Sequence, residues 1–559
     1  MRIVIVSCRL TDRRRAALTG LVATEGTPVF LDIDEIENLL ADDRPGAVVL
    51  DGPLGPPSAA LAGQLQGWVA RGTAVLALSP AAGAGPSGRW AELLCATAQP
   101  PMPAGEVFAR VTDADEPLVA RVDAEFPLVD VFQPLSPVTD GVRPVLSVTY
   151  RFVNQTALLV AERGEGRVVV SGLGATEQAL VAPALAAILR RALRTGVATA
   201  SARRPPLGVG VVGYGPYGGM GFVHGTAVTA VAGLDLVATC DSDAGRRKAA
   251  EQDFPGIRVH DTVEELAADD EVDVAVVATP PSAHVRVVST LLAAAKHVAC
   301  EKPLCFTVAD ADGLFALAAD NDRVLTVNQS RRWDRDFRAV QRTVDGGQLG
   351  EVFNVETFVG GFDHPCRAWH SDSTVSGGMV YDWGAHHIDW ILQLFGSVPA
   401  RVTATGHKRV WHDVTNLDQL RVRMHWDDGR EAEFVASDVA AVRRPKFYVQ
   451  GTAGTLVGRY QELGFEHVDP ARGYVRTDAH HAEAPAALTL AGYSSGSGVS
   501  ESVVALAPEM PFAFHRNLAD HLLLGEPLAV VAQSAREVIA VLEAATRSAA
   551  EGGQPVDLR

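Results

Sequence analysis

The sequence predicts an α/β chain of several domains: a doubly wound N-terminal domain, a second parallel α/β domain, and an α+β domain with a large, mainly antiparallel sheet. Three observations carry this expectation. Apolar strand patterns alternate with helical ones over the first ~195 residues and again from Leu207 to about Val327. A polar, proline-bearing stretch, Thr195 to Pro206, separates the two alternating regions. Beyond Asn328 the alternation gives way to longer β-rich segments. At 559 residues the chain is too long for one core, and length alone suggests about three to four domains. The expected bounds are 1–198, a linker at 199–206, 207–327 and 328–559.

In the first domain the expected strands are Ile3–Val6, Val29–Ile33, Ala47–Leu50 and Ala74–Leu78, with helical patterns such as Ala59–Ala70 between them. Thr156–Ala161 and Gly166–Ser171 flank a polar turn and read as a hairpin, and a helix over Ala175–Leu193 closes the domain. The arrangement is flavodoxin-like, without a Gly-x-Gly-x-x-Gly turn after its first strand. The last domain should hold strands near Glu351–Phe358, Ala400–Thr405, Leu417–His425 and Glu431–Ser437, then helices near His515–Leu523 and Ala532–Ser548.

The middle domain carries the most specific pattern. The apolar run Leu207–Val212 leads into Gly213-Tyr214-Gly215-Pro216-Tyr217-Gly218, a helix-length stretch follows, and the strand Leu234–Cys240 closes on Asp241. Strand, glycine turn, helix and acid-tipped strand together make a Rossmann dinucleotide-binding unit. The glycines let backbone approach a pyrophosphate at a helix N-terminus, where unpaired N–H groups favour anions. Asp241 stands where a carboxylate takes ribose hydroxyls and repels a 2′-phosphate, so the expected cofactor is NAD rather than NADP. Arg246 is near enough in sequence to reach the adenosine end.

Composition excludes several partner classes. A hydrophobic share of 47% with 21% charged residues describes an ordinary globular protein. A net charge of -18 argues against nucleic acid and acidic membrane surfaces, and favours a small neutral substrate. The six cysteines show no CxxC pair and no zinc spacing. Four follow or lie within apolar runs, which suggests buried free thiols and a reducing, cytoplasmic setting. No uncharged apolar run is long enough to span a bilayer, and the start of the chain reads as a strand rather than a signal peptide.

Two segments point to chemistry. Glu301-Lys302-Pro303 lies just past a strand's carboxyl end, where open α/β sheets place their ligands. A lysine there can hold a substrate oxygen. In the run Ser376 to Gln393, helical spacing puts Asp382, His386, Asp389 and Gln393 within a sector of about 60°. An Asp and a His at i and i+4 can hydrogen-bond, which would orient His386 as a general base. The alternatives are a self-satisfied buried pair, or a metal site of His386, His387 and Asp389. Adjacent helical residues point about 100° apart, so no metal is expected.

These landmarks resemble the Gfo/Idh/MocA family of sugar and cyclitol oxidoreductases. The matching residues are Gly213-x-Gly215-x-x-Gly218, Asp241, Thr279-Pro280-x-x-x-His284, Glu301-Lys302-Pro303, Asn328 to Trp333, and Gly377 to Asp389. The resemblance implies a catalytic set of Lys302, Asp382 and His386. It implies a cofactor site of Gly213, Gly215, Pro216, Tyr217, Gly218, Asp241, Arg246, Thr279, Pro280, His284, Glu301, Lys302 and Asn328. Arg331, Trp369, His370 and Asp389 are the candidate substrate residues. The turn departs from the family spacing Gly-x-x-His, because Gly218-Gly219-Met220-Gly221-Phe222-Val223-His224 carries three extra residues. Either Gly218 or Gly221 takes the third glycine's place.

The first domain resembles the ThuA-like group, built on a class I glutamine-amidotransferase-like fold, best over Val148–Arg190. All 16 histidines lie between His224 and His521, and the turn after Ala74–Leu78 reads Ser79-Pro80, so no nucleophile elbow with a histidine base is present. A non-catalytic role is expected, although Asp32, Asp34, Asp51 and Glu177 are available as bases. The whole reads as an NAD-dependent dehydrogenase acting on a secondary hydroxyl of a sugar, glycoside or cyclitol, with a redox-neutral epimerase or lyase and a ligand-sensing protein as rivals. The resemblance further implies a homo-oligomer, a dimer or tetramer.

Overall fold

A computed structural model gives the structure of the chain and describes every residue except 9, 33–34, 37–43, 79–87, 151, 195–204, 216–218, 367, 462, 470–472, 480–483, 495, 497 and 559. The described residues form two units. One is Met1–Pro205 with Asp520–Pro527, and the other is Pro206–Ala519 with Leu528–Arg559.

The first unit is built on an eleven-stranded sheet. Its parallel half runs, in spatial order, Thr27–Leu31, Arg2–Ser7, Ala47–Asp51, Ala74–Leu78 and Gly166–Ser171. Every residue of Ala47–Asp51 and of Ala74–Leu78 is buried, as befits parallel strands covered on both faces. From Gly166–Ser171 the sheet turns antiparallel through Val153–Arg163, Arg143–Tyr150, Gly105–Val111 and Glu125–Asp130. The doubly wound expectation therefore describes only the parallel half. Glu125–Asp130 alternates exposed and buried residues, so it covers the core with one face and meets solvent with the other. The helix expected over Ala175–Leu193 is two helices, Glu177–Leu180 and Pro183–Ala192. Pro183 has no N–H to donate, so it opens a second helix instead of continuing the first.

The segment Asp520–Pro527 is tied to this unit by a buried carboxylate. Glu526 receives Arg190 and Arg191, each at 2.8 Å, and both Arg191 and Glu526 are buried.

The second unit contains a six-stranded, all-parallel sheet in the order Arg258–His260, Leu234–Cys240, Leu207–Val212, Val274–Val277, His297–Glu301 and Leu325–Asn328. The chain leaves Leu207–Val212 toward one side first and the other side afterwards. The crevice at this strand's carboxyl end is where such sheets bind ligands. A nine-stranded sheet follows, antiparallel except where Val352–Gly360 pairs in parallel with Glu431–Ser437. Helices Gly384–Phe395 and Ala532–Ala550 pack on it closely. A methyl group on Gly384 would meet Leu542 at 3.1 Å and Phe434 at 3.3 Å. This packing fixes the helix that carries His386 against the sheet.

Among the described residues no helix is long and apolar enough to cross a membrane. Cys95, Cys240, Cys300 and Cys305 are buried, while Cys8 and Cys366 are exposed.

Candidate active site

The glycine turn after Leu207–Val212 shows why only some of its positions tolerate a side chain. Gly213 has φ +89°, and a methyl there would meet the Thr279 backbone nitrogen at 2.8 Å. Gly221 lies in the helix Met220–Ala230, and its Cβ would meet Tyr214 Cα at 2.4 Å. Close helix–strand packing is the role of the third glycine in such turns, so Gly221 fills it. Pro216, Tyr217 and Gly218 lie outside the described residues.

Asp241 is buried and faces the turn. Its Oδ2 accepts from the backbone N–H of Tyr214 at 3.0 Å and of Gly215 at 3.2 Å, and its Oδ1 accepts from Asp243 N–H at 2.9 Å. Arg246 Nη1 stands 3.7 Å from the same Oδ2.

Glu301 ends the strand His297–Glu301 as the hub of a buried polar chain. Its Oε1 accepts from Asn328 Nδ2 at 2.7 Å and His224 Nε2 at 2.9 Å, and its Oε2 accepts from Lys302 N–H at 3.1 Å. Burial alone would raise this carboxyl, but His224, Asn328 and the Lys302 charge hold it at about 2. The ionised carboxylate cannot donate, so His224 donates to it from Nε2, while its Nδ1 meets His515 Nε2 at 2.9 Å. His515 was not singled out by the sequence; it is pushed down to about 3 by burial and by the neighbouring His224.

A dinucleotide fits these residues. Thr279 Oγ1 lies just past the strand Val274–Val277 and Asn328 Oδ1 at the carboxyl end of Leu325–Asn328, both buried and both without a hydrogen-bond partner. Groups of this kind are costly unless a ligand or water satisfies them. His284 is different. Its ring bonds the Pro303 carbonyl through Nδ1 and the Thr279 carbonyl through Nε2, each at 2.8 Å. Both nitrogens face backbone carbonyls, so His284 stands between the Thr279-Pro280 turn and the Glu301-Lys302-Pro303 segment.

Lys302 reaches from that segment to the short helix Met379–Asp382. Its Nζ donates to Asp382 Oδ1 at 2.8 Å and to the Asp382 carbonyl at 3.1 Å. Burial would raise the Asp382 carboxyl, but the Lys302 charge and hydrogen bond outweigh it and hold it below the usual range. The expected Asp382–His386 hydrogen bond is therefore replaced by the Lys302 pair. The imidazole that shares the Asp382 field is His370, partly buried and stacked on Trp369 with ring centroids 3.7 Å apart. His386 is buried, and burial together with the Lys302 and Arg331 charges holds it well below its ordinary range, so it is neutral. Its Nδ1 has no hydrogen-bond partner.

Asp389 lies on the same helix as His386. Its carboxylate, 1% exposed, is held in a two-point ion pair by Arg332 Nε at 2.8 Å and Nη2 at 2.6 Å. Both of its oxygens are engaged by Arg332 inside the protein. Arg331 lies over the Trp383 ring at 5.1 Å and 3.3 Å from Asp334. Sequence reasoning also passed over Asn416, whose Nδ2 donates to the His370 carbonyl at 2.8 Å while its buried Oδ1 lacks a partner. A lone asparagine in a long loop carries no sequence signal for this. His387 is a core histidine against Phe434 and Trp390. No cluster of three or more His, Cys, Asp or Glu among the described residues is arranged to hold a metal ion.

These shifts predict the acid behaviour of the second unit. Glu301, depressed to about 2, contributes stability that is present above its ordinary 4.5 and is lost as the pH falls toward 2. His515 stays neutral when folded, whereas the unfolded chain protonates it near 6.5, so this residue disfavours folding progressively below 6.5. Both act in one direction. The melting temperature is expected to fall as the pH drops from 7 to 5, and to fall less in His515→Gln. A flat wild-type profile over that window would contradict the buried neutral histidine.

Residues 207–329 match the oxidoreductase family with an NAD-binding Rossmann fold, and residues 337–457 match the Gfo/Idh/MocA C-terminal domain. The chain is 30% identical to the oxidoreductase YdgJ of Escherichia coli, over 44% of this chain and 70% of that protein. It is 25% identical to the scyllo-inositol 2-dehydrogenase (NADP(+)) IolW of Bacillus subtilis, over 61% of this chain and 94% of that protein. A solved NAD-binding protein from Listeria innocua superposes with a TM-score of 0.54 at 25% identity, over 63% of this chain and 96% of that one. The chain spans 65% and 59% of the length of two oxidoreductases from Schizosaccharomyces pombe, to which it is 33% and 30% identical. The chain belongs to the Gfo/Idh/MocA oxidoreductase family.

Proposed function

We propose that the second unit oxidises a secondary hydroxyl of a sugar, glycoside or cyclitol, with NAD as cofactor. The observation that carries this reading is the Lys302–Asp382 pair at 2.8 Å beside a buried, neutral His386. Bound nicotinamide supplies the hydride acceptor. Lys302 holds the substrate oxygen and favours the charge that develops there. His386, with Nδ1 unpartnered, takes the hydroxyl proton at a ring nitrogen. Asp382 fixes the lysine, and His370 contributes to the substrate side. The scyllo-inositol dehydrogenase relative supports a polyol substrate.

The test is a panel of sugars and cyclitols assayed for NAD reduction, with enzyme-retained NADH measured alongside. Oxidation with NADH released supports the dehydrogenase. Product formed while NADH stays bound makes the reaction redox-neutral, and no turnover of any polyol, with NAD binding intact, favours a sensing role.

Asp241 is proposed to select NAD. Asp241→Ser should relax discrimination against NADP by removing the like charge, with Arg246 at 3.7 Å then able to meet a 2′-phosphate. Equal wild-type affinities for the two cofactors by titration would refute the selection.

For the first unit, the resemblance to the ThuA-like group supports a fold without its own catalysis. Asp51 sits at a strand's carboxyl end but is fully buried, with Arg14 on its carboxylate and Ser7 Oγ donating at 2.7 Å. A carboxylate enclosed and occupied in this way is not presented to a substrate. Asp34, Ser79 and Pro80 lie outside the described residues.

A further inference from the structure

A cavity of about 620 Å³ in the second unit is bounded by Gly361, Phe362, residues 440–445, Arg459 and Tyr460. Its described lining contains three arginines and no carboxylate. Arg444 is already paired, with Glu356 at 2.6 Å and Glu433 at 2.8 Å. Arg443 is pinned by one bond, Nε to the Gly360 carbonyl at 2.9 Å, and its Nη1 is buried with no partner. Arg459 ends the strand Gly454–Arg459, is exposed, and forms no ion pair among the described residues. The nearby acid is Asp363. A methyl on Gly361 would meet Asp363 Oδ2 at 2.8 Å and Arg443 Nη2 at 2.9 Å, yet the two side chains form no ion pair. Among the described residues, the two arginines without an ion pair, Arg443 and Arg459, therefore face the cavity with Asp363 as the nearby carboxylate.

Charge coupling links the surroundings of the cavity to the site of chemistry. Tyr460, which donates to the Phe358 carbonyl at 2.7 Å, lies within the fields of both Arg443 and Arg331. Asp438, two residues before the lining residue Ala440, is pushed up to about 6 by burial, with Asp418, Asp363 and Asp382 adding to the rise. The wall of the cavity is thus in electrostatic reach of Asp382, the partner of Lys302.

We propose that this cavity is an anion subsite, in which Arg443 and Arg459 hold the carboxylate or phosphate of an acidic sugar while its hydroxyl lies at Lys302. The proposal rests on the sugar-oxidising reading above and names the substrate class within it. Planar guanidinium groups match two-oxygen anions, and charge-assisted bonds of this kind discriminate strongly against a neutral hydroxymethyl group.

The test is calorimetric titration of the full-length protein, saturated with NAD, with D-glucose, D-glucuronate and D-glucose 6-phosphate. At least one anion should bind about tenfold or more tightly than glucose, and the tighter of the two identifies carboxylate or phosphate. Arg443→Gln and Arg459→Gln should each remove that preference and leave glucose affinity unchanged. Arg459 is exposed, so its variant reports even where Arg443→Gln disturbs folding. Equal binding of the three probes, no binding of either anion, or variants that weaken all probes alike would overturn the subsite. NAD reduction with glucose or myo-inositol, measured separately, reports on the oxidoreductase reading without reference to the arginines.

Discussion

Replacing Lys302 by Met should lower kcat/KM by a factor on the order of 10² or more and leave NAD affinity largely intact. The expectation follows from the geometry of its ammonium group. Two of its three donors are directed to Asp382, at 2.8 Å to the carboxylate and 3.1 Å to the carbonyl. The remaining donor is available to a substrate oxygen without a search through rotamers. Methionine fills a similar volume and removes both charge and donor. Asp382→Asn should show a related loss, because it keeps the shape of the partner and releases the lysine. Stopped-flow hydride transfer and NAD titration on the folded variants provide the check. Near-wild-type rates in both would remove Lys302 from the chemistry.

Arg332→Ala should destabilise the second unit by about 3–5 kcal/mol, since it leaves one member of a buried ion pair behind. Asp389 is 1% exposed and receives both arms of the Arg332 guanidinium, and Arg332 also donates to Ser534 Oγ at 3.2 Å. Burial already raises the Asp389 carboxyl, and the arginine charge opposes that rise. Without the arginine the acid must be neutralised or hydrated, and either costs stability. A double variant, Arg332→Met with Asp389→Leu, should recover much of the loss, because apolar groups of similar size replace such pairs at small cost. Denaturant unfolding followed on the second unit measures both. A single variant as stable as the wild type would show that the pair does not anchor the helix.

The parts of the site that were legible in the sequence are those whose neighbours in sequence are also neighbours in space. The glycine turn, Asp241 and the Glu301-Lys302-Pro303 segment each follow a strand end, so local pattern placed them at the crevice. Helical spacing suggested an Asp382–His386 bond, but it carried no information about Lys302, which arrives from a different strand and wins the carboxylate with a full charge. The same limit hid Arg332 behind Asp389, His515 behind His224, and Lys446 behind the buried Asp336 that it pairs at 2.7 Å. His284 looked like a cofactor residue because it stands beside the crevice, whereas its ring serves two backbone carbonyls. In the first unit the parallel strands were legible as continuous apolar runs. The antiparallel half was less so, because strands such as Gly105–Val111 keep one face in solvent and read as mixed polarity.

The short segment around Glu526 changes what kind of object this chain is. Two units joined end to end share a single covalent joint, and either can be lost by one break. Here the chain changes unit after Pro205, after Ala519 and after Pro527, and Glu526 answers Arg191 across 335 residues of sequence. Severing the backbone once near residue 205 would leave the first unit non-covalently bound to a loop that the second unit still carries. Deleting residues 1–205 would strip that loop of both its arginines and leave the Glu526 carboxylate without these two partners. The two halves are therefore not freely interchangeable modules: the N-terminal unit is completed by a piece of chain that only the oxidoreductase half supplies.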